Sequence, residues 1–239
     1  MFLGHYAVAL SAKRAAPQTS LGTLILAAQL LDLLWPIFLL VGLEQVRIVP
    51  GLMAASALDF VHYPITHSLL AVAGWAVLLG AGYYALRRYA AGAWVVGVAV
   101  LSHWFLDAPM HRPDLPLWPG AETRVGGGLW HSVPATIAVE LGLLVLGLAL
   151  YLRSTRARDR IGSGGLWAMV GVLVFFFLGG SFGPPPPSER ALAVTALGLW
   201  LFVPWGYWID RHRIPAAPAG AVSLPGRSGA ATAGSASSH

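Results

Sequence analysis

Residues 21 to 40, LGTLILAAQLLDLLWPIFLL, form an apolar segment with a single aspartate, Asp32, close to its centre. A helix of this length rises about 30 Å, which matches the hydrocarbon core of a bilayer. The segment is therefore predicted to span a membrane. An unpaired aspartate at the middle of such a helix costs at least about 2.5 to 3.5 kcal/mol, so Asp32 is expected to have a partner.

The whole chain has the composition of a membrane protein. Of its 239 residues 56% are hydrophobic and 10% are charged, and the mean hydropathy is +0.67, whereas soluble domains carry about 25% charged residues. Spanning helices are predicted at residues 21–43, 66–86, 90–109, 133–152, 165–182 and 190–209, with a shorter helix at 2–14. The fold class is thus an all-α polytopic bundle of about six spanning helices over residues 1–213. Residues 214–239, rich in Ala, Gly, Ser and Pro, are predicted to be a disordered tail.

Basic residues are concentrated in alternate connectors between these helices. They are Lys13 and Arg14, Arg87 and Arg88, the four arginines within 153–160, and Arg211 and Arg213. The positive-inside rule places these connectors and the C-terminus in the cytoplasm. It also explains the net charge of +5, so no nucleic acid partner is expected. Cysteine is absent, and any metal site must therefore use histidine and carboxylate.

Two polar residues near the start of the chain are expected at similar depth. His5 lies about eight residues from the basic turn that follows the first helix, and Asp32 lies about twelve residues beyond that turn. At 1.5 Å per residue their heights differ by about 6 Å. The two side chains are thus within reach of each other or of a shared ion. Pro36, one turn above Asp32, is expected to open the helix locally.

His103 and Asp107 are four residues apart and share one face of the third long helix. Either both bind one metal ion, or the carboxylate orients the imidazole. In LDFVHYPITHSLL, residues 58–70, Pro64 favours a break, Thr66 is a plausible N-cap, and His67 then falls in the first helical turn. His5, Asp32, His67, His103 and Asp107 form the candidate metal set, because one structural pair does not require five ionisable groups at similar depth.

A second group of polar residues is predicted at the rim of this site. It consists of His62, His111, Asp114, His131 and Glu140. Taken singly, His62, His111 and Glu140 are equally explained as hydrogen-bonding residues between helices. His111 and Asp114 lie in a loop just outside the membrane, where they either meet a substrate headgroup or are simply solvated.

The order of these motifs resembles a bacterial family. A near-terminal GH at residues 4–5, an Asp in the first long helix, H-x-x-x-x-HS at 62–68 and H-x-x-x-D at 103–107 are similar to the YdjM-like predicted membrane-bound metal-dependent hydrolases. The resemblance covers about residues 1–150. It implies an inner-membrane protein in which His5, Asp32, His67, His103 and Asp107 are metal ligands.

The leading hypothesis is a metal-dependent hydrolase with its site near the extracytoplasmic side. Imidazole and carboxylate ligands suit Zn, and also Mn or Fe, and Asp107 or Asp59 is predicted to be the catalytic proton acceptor. The location in a lipid bilayer favours a lipid or lipid-linked ester or phosphoester as substrate. Two alternatives are a transporter or proton pathway that uses the buried His and Asp residues, and a non-catalytic membrane scaffold.

Overall fold

The computed structural model of the protein describes residues 1 to 216. This part of the chain contains ten α-helices: α1 (Leu3–Ala15), α2 (Leu21–Ala28), α3 (Leu30–Leu40), α4 (Pro64–His67), α5 (Leu69–Arg87), α6 (Ala90–Met110), α7 (Val133–Ser154), α8 (Arg160–Phe182), α9 (Glu189–Ala196) and α10 (Phe202–Arg211). Short 3₁₀ helices occupy Leu129–His131 and Leu197–Leu201. The prediction of an all-α bundle is confirmed.

Three small antiparallel pairs of strands accompany the helices in the described residues. They are β1 (Gln45–Ile48) with β2 (Leu58–His62), β3 (Leu115–Pro116) with β4 (Arg124–Val125), and β5 (Thr155–Ala157) with β6 (Arg213–Pro215). β6 extends two residues past the predicted end of the ordered domain at residue 213. The rest of the predicted disordered tail, residues 217–239, lies outside the described part of the chain.

The number of candidate spans agrees with the prediction of about six. Among the described residues, α5, α6, α7, α8 and the segment Glu189–Arg211 are each long and apolar enough to cross a membrane. A sixth span is formed if α2 and α3 are counted together, although they are bent by 55°.

The bend between α2 and α3 differs from the expected opening at Pro36. Pro36 lies within α3, and the helix breaks instead at Gln29, one turn before Asp32. Asp32 therefore occupies the first turn of a new helix, where the positive end of the helix dipole stabilises a carboxylate. The break thus gives Asp32 electrostatic support that a continuous helix would not provide.

The short helix α1 is at the centre of the bundle. It packs mainly along α7 and also against α2 and α6. Most of its residues are buried, among them Leu3, His5, Tyr6 and Leu10. Its far end is held by Lys13, which donates to the carbonyl of Thr19 at 2.8 Å and to the carboxylate of Asp210 in α10 at 2.7 Å. Because α1 is enclosed in this way, His5 is fixed in position relative to α6.

The close approach of α1 and α7 requires a glycine. A Cβ atom built on Gly147 would lie 2.5 Å from the carbonyl oxygen of Ala7, which is backbone and cannot rotate away. Gly142, on the same helix, has no heavy atom within 4 Å of such a Cβ. The two glycines therefore form a matched pair for a test of this packing.

We predict that Gly147→Ala destabilises the bundle by about 1 to 3 kcal/mol, the usual cost of overpacking a core. Gly142→Ala is expected to leave stability unchanged or slightly higher, because alanine favours a helix. Thermal unfolding of the purified protein in detergent, followed by tryptophan fluorescence, measures both. Equal midpoints for the two variants would contradict the packing of α1 on α7.

Candidate metal centre

Side chains from four helices converge on one point inside the bundle. Nε2 of His103, on α6, lies 3.3 Å from Oδ2 of Asp107 and 3.6 Å from Oδ1 of Asp32, on α3. Nε2 of His67, on α4, lies 3.6 Å from the same Asp32 oxygen and 3.8 Å from Oδ2 of Asp107. His5, on α1, joins from the other side, with Nε2 3.2 Å from Oδ1 of Asp107.

Four of the distances are near the spacing of metal ligands. Bonds of about 2.0 to 2.1 Å in a tetrahedral site place neighbouring ligand atoms about 3.3 to 3.4 Å apart. The four imidazole-to-carboxylate distances run from 3.3 to 3.8 Å. Separations of 3.6 and 3.8 Å are too long for direct hydrogen bonds. The imidazoles and carboxylates could therefore hold a cation between them.

The outward-facing nitrogen of His103 has a fixed role. Its Nδ1 lies 2.8 Å from the carbonyl oxygen of Ala28, and because a carbonyl can only accept, Nδ1 must carry the hydrogen. The other ring nitrogen, Nε2, faces Asp32 and Asp107. This Nε2 is buried and has no hydrogen-bond partner among the described residues.

His67 is oriented by a chain of two hydrogen bonds. The hydroxyl of Thr66 donates to Oε2 of Glu44 at 2.7 Å, so its oxygen accepts a hydrogen bond from Nδ1 of His67, also at 2.7 Å. Nε2 of His67 is then directed inward, toward Asp32 and Asp107. Metal-bound histidines are commonly held in this way, with the second ring nitrogen donating to a polar partner.

His5 packs against His103, on the side of that ring that faces α1. The two imidazole rings are stacked at 3.6 Å with an angle of 7° between their planes. Two overlapping groups have ligand atoms within 4.8 Å of one another, namely His5, His103 and Asp107, and Asp32, His67 and His103. Oδ1 of Asp107 also forms an ion pair with the amino group of Met1. Asp107 therefore uses one oxygen toward α1 and the other toward His67 and His103.

The site is open on one side only. The side chains of His5, His67, His103 and Asp107 are at most 4% exposed, whereas that of Asp32 is 23% exposed. A ligand or water molecule would therefore reach the site past Asp32.

A second polar network lies beside the candidate ligands. Asp114 accepts hydrogen bonds from the hydroxyl of Tyr63 at 3.0 Å and from Nδ1 of His111 at 2.9 Å. Arg112 donates to Asp114 and forms a close ion pair with Asp59. Burial lowers the pKa of His111 and, together with the carboxylate of Asp114, raises the pKa of Tyr63. Both groups are therefore neutral at pH 7.

Tyr63 links this network to the metal set. Its ring lies 5.3 Å from the ring of His67, measured between centroids. Asp59, predicted to be a proton acceptor, is not in either group of candidate ligands and has Arg112 as its partner. The structure thus places Asp114 and His111 in an ordered network, and Asp59 at its outer edge.

The remaining rim residues have other surroundings. His62 and His131 are exposed. Glu140 is buried, and its two carboxylate oxygens accept hydrogen bonds from the backbone amides of Phe2 at 2.8 Å and Gly4 at 2.9 Å. Glu140 thus caps the start of α1.

Sequence reasoning missed three groups that orient the ligands. Thr66 was expected to be an N-cap, but Ser68 caps α5 by accepting from the amide of Ala71, and Thr66 instead contacts His67 and Glu44. Glu44 and the carbonyl of Ala28 were not predicted at all. The one signal in the sequence was that the threonine at position 66 directly precedes the candidate ligand His67.

One comparison with known proteins gives a match. The family model described as YdjM inner membrane protein matches residues 1–183, which extends the resemblance seen over residues 1–150 to the end of α8. Neither the curated proteins nor the solved structures include a match to the chain.

We predict that Glu140→Ala lowers the thermal midpoint, because two buried amides at the start of α1 lose their acceptor at about 1 to 3 kcal/mol each. Each kcal/mol corresponds to about 2 to 4 °C for a chain of this size. Glu140→Gln keeps an acceptor oxygen and is expected to lose less. If Glu140→Ala kept the wild-type midpoint, the capping role would be wrong.

Proposed function

This chain belongs to the YdjM inner membrane protein family, and we propose that it is a metal-dependent hydrolase acting on a lipid or lipid-linked ester or phosphoester. One observation carries the proposal. Nε2 of His67 and Nε2 of His103 face Oδ1 of Asp32 and Oδ2 of Asp107, while their other nitrogens donate outward. A cation bound between these imidazoles and carboxylates would compensate the burial of the two acids.

The donor set supports a divalent metal. Imidazole and carboxylate together suit Zn, Mn or Fe, and mixed nitrogen and oxygen ligands of this kind are usual for Zn. When bound, such an ion activates water at neutral pH and polarises the oxygen of the bond to be cleaved. His67, His103, Asp32 and Asp107 would hold it, and His5 would complete the site beside Asp107.

The three aspartates near the site are assigned different roles. Asp107 is almost fully buried among imidazoles, which suits a ligand. Asp32 is the member with a partly exposed side chain, and only its Oδ1 faces the imidazoles, so its second oxygen would accept the proton of the attacking water. Asp59 is paired with Arg112, which favours a structural role. In hydrolysis the water oxygen joins the carbonyl carbon or phosphorus, and its proton passes to the leaving alcohol.

The substrate class follows from location. The ligands lie in a bundle whose helices α5 to α8 each have the length and hydropathy of membrane spans, so a lipid can reach them without leaving the bilayer. The basic connectors lie at the opposite ends of these helices from His103 and Asp107. By the positive-inside rule we assign the site to the extracytoplasmic half and the basic loops to the cytoplasm.

A second candidate function is an ion or proton pathway, and the break between α2 and α3 favours it. Broken membrane helices often bind ions at the ends of their two halves, and Asp32 begins the second half. Gln29, at the break, is buried with both amide atoms unpartnered among the described residues. Proton or metal flux into liposomes containing the purified protein, abolished in Asp32→Asn, would favour transport over hydrolysis.

We predict that the protein purified in detergent contains about one divalent metal ion per chain, measured by elemental mass spectrometry. His103→Ala and Asp32→Asn are expected to lose the metal ion, because each substitution removes one of its proposed ligands. Thr66→Val leaves the ligands in place but removes the acceptor for His67 Nδ1, and should weaken binding by about 10- to 100-fold.

The control for this measurement is His131→Ala, an exposed histidine that should keep the full metal content. Thermal unfolding of each variant shows whether it is folded. Metal-free wild-type protein, grown and purified with added zinc, manganese or iron, would rule out the proposed site if His103→Ala and Asp32→Asn were equally stable.

We predict that the metal-loaded protein releases a water-soluble headgroup or a fatty acid from a total lipid extract of bacterial inner membranes. A chelator should abolish the release, and readdition of the metal should restore it. Asp32→Asn is expected to be inactive. Product analysis by mass spectrometry identifies the bond cleaved, and absence of any metal-dependent product would refute hydrolysis of these lipids.

A further inference from the structure

A large groove lies at the ends of two membrane helices, away from the entrance beside Asp32. It has a volume of about 730 Å³, within the range of small-molecule sites. Its walls come from the end of α3, from β1 and from the start of α9, and they include Leu39, Leu40, Val46, Ala193 and Val194. Leu40 and Val194 are 42% and 54% exposed. The groove is thus apolar at the level where the helices leave the bilayer.

Two arginines line the same groove. Arg47, on β1, and Arg190, on α9, are both exposed, and neither has a carboxylate within 4.0 Å among the described residues. Arg47 is opposite Asp59 in the strand pair, but the carboxylate of Asp59 is taken by Arg112. The two guanidinium groups are therefore available to an anion.

The acids of the groove are already engaged. Glu44 is 1% exposed and accepts hydrogen bonds from the amides of Ile65 and Thr66 and from the Thr66 hydroxyl. Glu189 accepts a hydrogen bond from the amide of Ile48 at 3.3 Å. The charge of Glu44 is thus turned into the protein, and the exposed charged groups of the groove are two arginines and the single carboxylate of Glu189, which leaves a net positive charge.

We propose that this groove binds a phospholipid with an anionic headgroup, the two arginines contacting its phosphate and the apolar walls its acyl chains. Basic pockets between membrane helices on the cytoplasmic side bind anionic lipid headgroups in this manner, and the contacts proposed here are the same, at the extracytoplasmic ends of α3 and α9. Guanidinium groups match phosphate oxygens geometrically. The combination of exposed apolar walls, charge complementarity and interfacial depth fits a lipid better than a soluble anion.

The groove is also connected to the candidate metal centre. Glu44 forms part of its wall, and two hydrogen bonds of 2.7 Å each lead from Glu44 through Thr66 to Nδ1 of His67. If the proposed hydrolase function holds, on which this step rests, a lipid bound here regulates the metal site, because the groove lies away from the entrance beside Asp32. Occupation of the groove then acts on the orientation of His67 through Glu44.

The test is binding of fluorescent phosphatidylglycerol to the full chain in detergent, compared with fluorescent phosphatidylcholine. The double variant Arg47→Gln with Arg190→Gln should bind phosphatidylglycerol at least tenfold more weakly, since each interfacial arginine contributes about fivefold. Val194→Trp, which fills the groove from an exposed position, should weaken binding of the same lipid. Unchanged affinity in both variants, or equal wild-type affinity for both lipids, would overturn the proposal.

A matched control removes two exposed arginines from another part of the chain. Arg156→Gln with Arg158→Gln, next to β5, changes the net charge equally and should bind phosphatidylglycerol like the wild type; an equal loss would mean that the effect is only one of net charge.

Metal content measured on the same samples separates the two proposals. If the wild type contains metal but the arginine double variant binds phosphatidylglycerol as tightly as the wild type, the lipid groove alone is refuted. If the wild type contains no metal but loses phosphatidylglycerol binding in the arginine double variant, the metal centre alone is refuted.

Discussion

The structure depends on the burial of negative charge in an apolar bundle. Asp107 is 1% exposed, and Asp32 lies within about 4 Å of the same imidazole nitrogens. A carboxylate removed from water is unfavourable by several kcal/mol unless it is paired or bound to a metal. Each element near the site contributes one compensating group: α1 provides His5, α4 provides His67 and α6 provides His103. This requirement explains why a 13-residue helix, too short to span alone, occupies the centre of the bundle.

The break at Gln29 serves the same requirement. Ending α2 at Ala28 frees a carbonyl that a continuous helix would use for its own hydrogen bond, and His103 donates to that carbonyl. The same break places Asp32 in the first turn of α3, where free amides and the helix dipole favour negative charge. One local interruption therefore orients a histidine and stabilises an aspartate on opposite sides of the site.

The ligand set could be predicted because ionisable residues are conspicuous in apolar segments. His103 and Asp107 follow from their spacing on one helix face, and His5 and Asp32 from their similar depth. The break could not be predicted, because the sequence AAQLLD has no glycine or proline and the bend is stabilised by a distant residue, His103. Glu44 was missed because it lies in a loop twenty-two residues before Thr66. Nothing in the sequence indicates that its carboxylate accepts a hydrogen bond from the Thr66 hydroxyl. The expectation of an opening at Pro36 was wrong, because α3 continues through Pro36 and the break falls at Gln29.

The candidate metal ligands and the proposed lipid groove come from different parts of the chain. All five candidate metal ligands lie between residues 5 and 107, inside the family match, which ends at residue 183. One wall of the lipid groove begins at Glu189, beyond that match. The candidate metal centre therefore lies in the part matched by the family model, whereas the proposed lipid groove takes one of its walls from a helix outside that match. Glu44 and Thr66 lie between the two, so under these proposals a change in the groove would reach the site without altering any ligand.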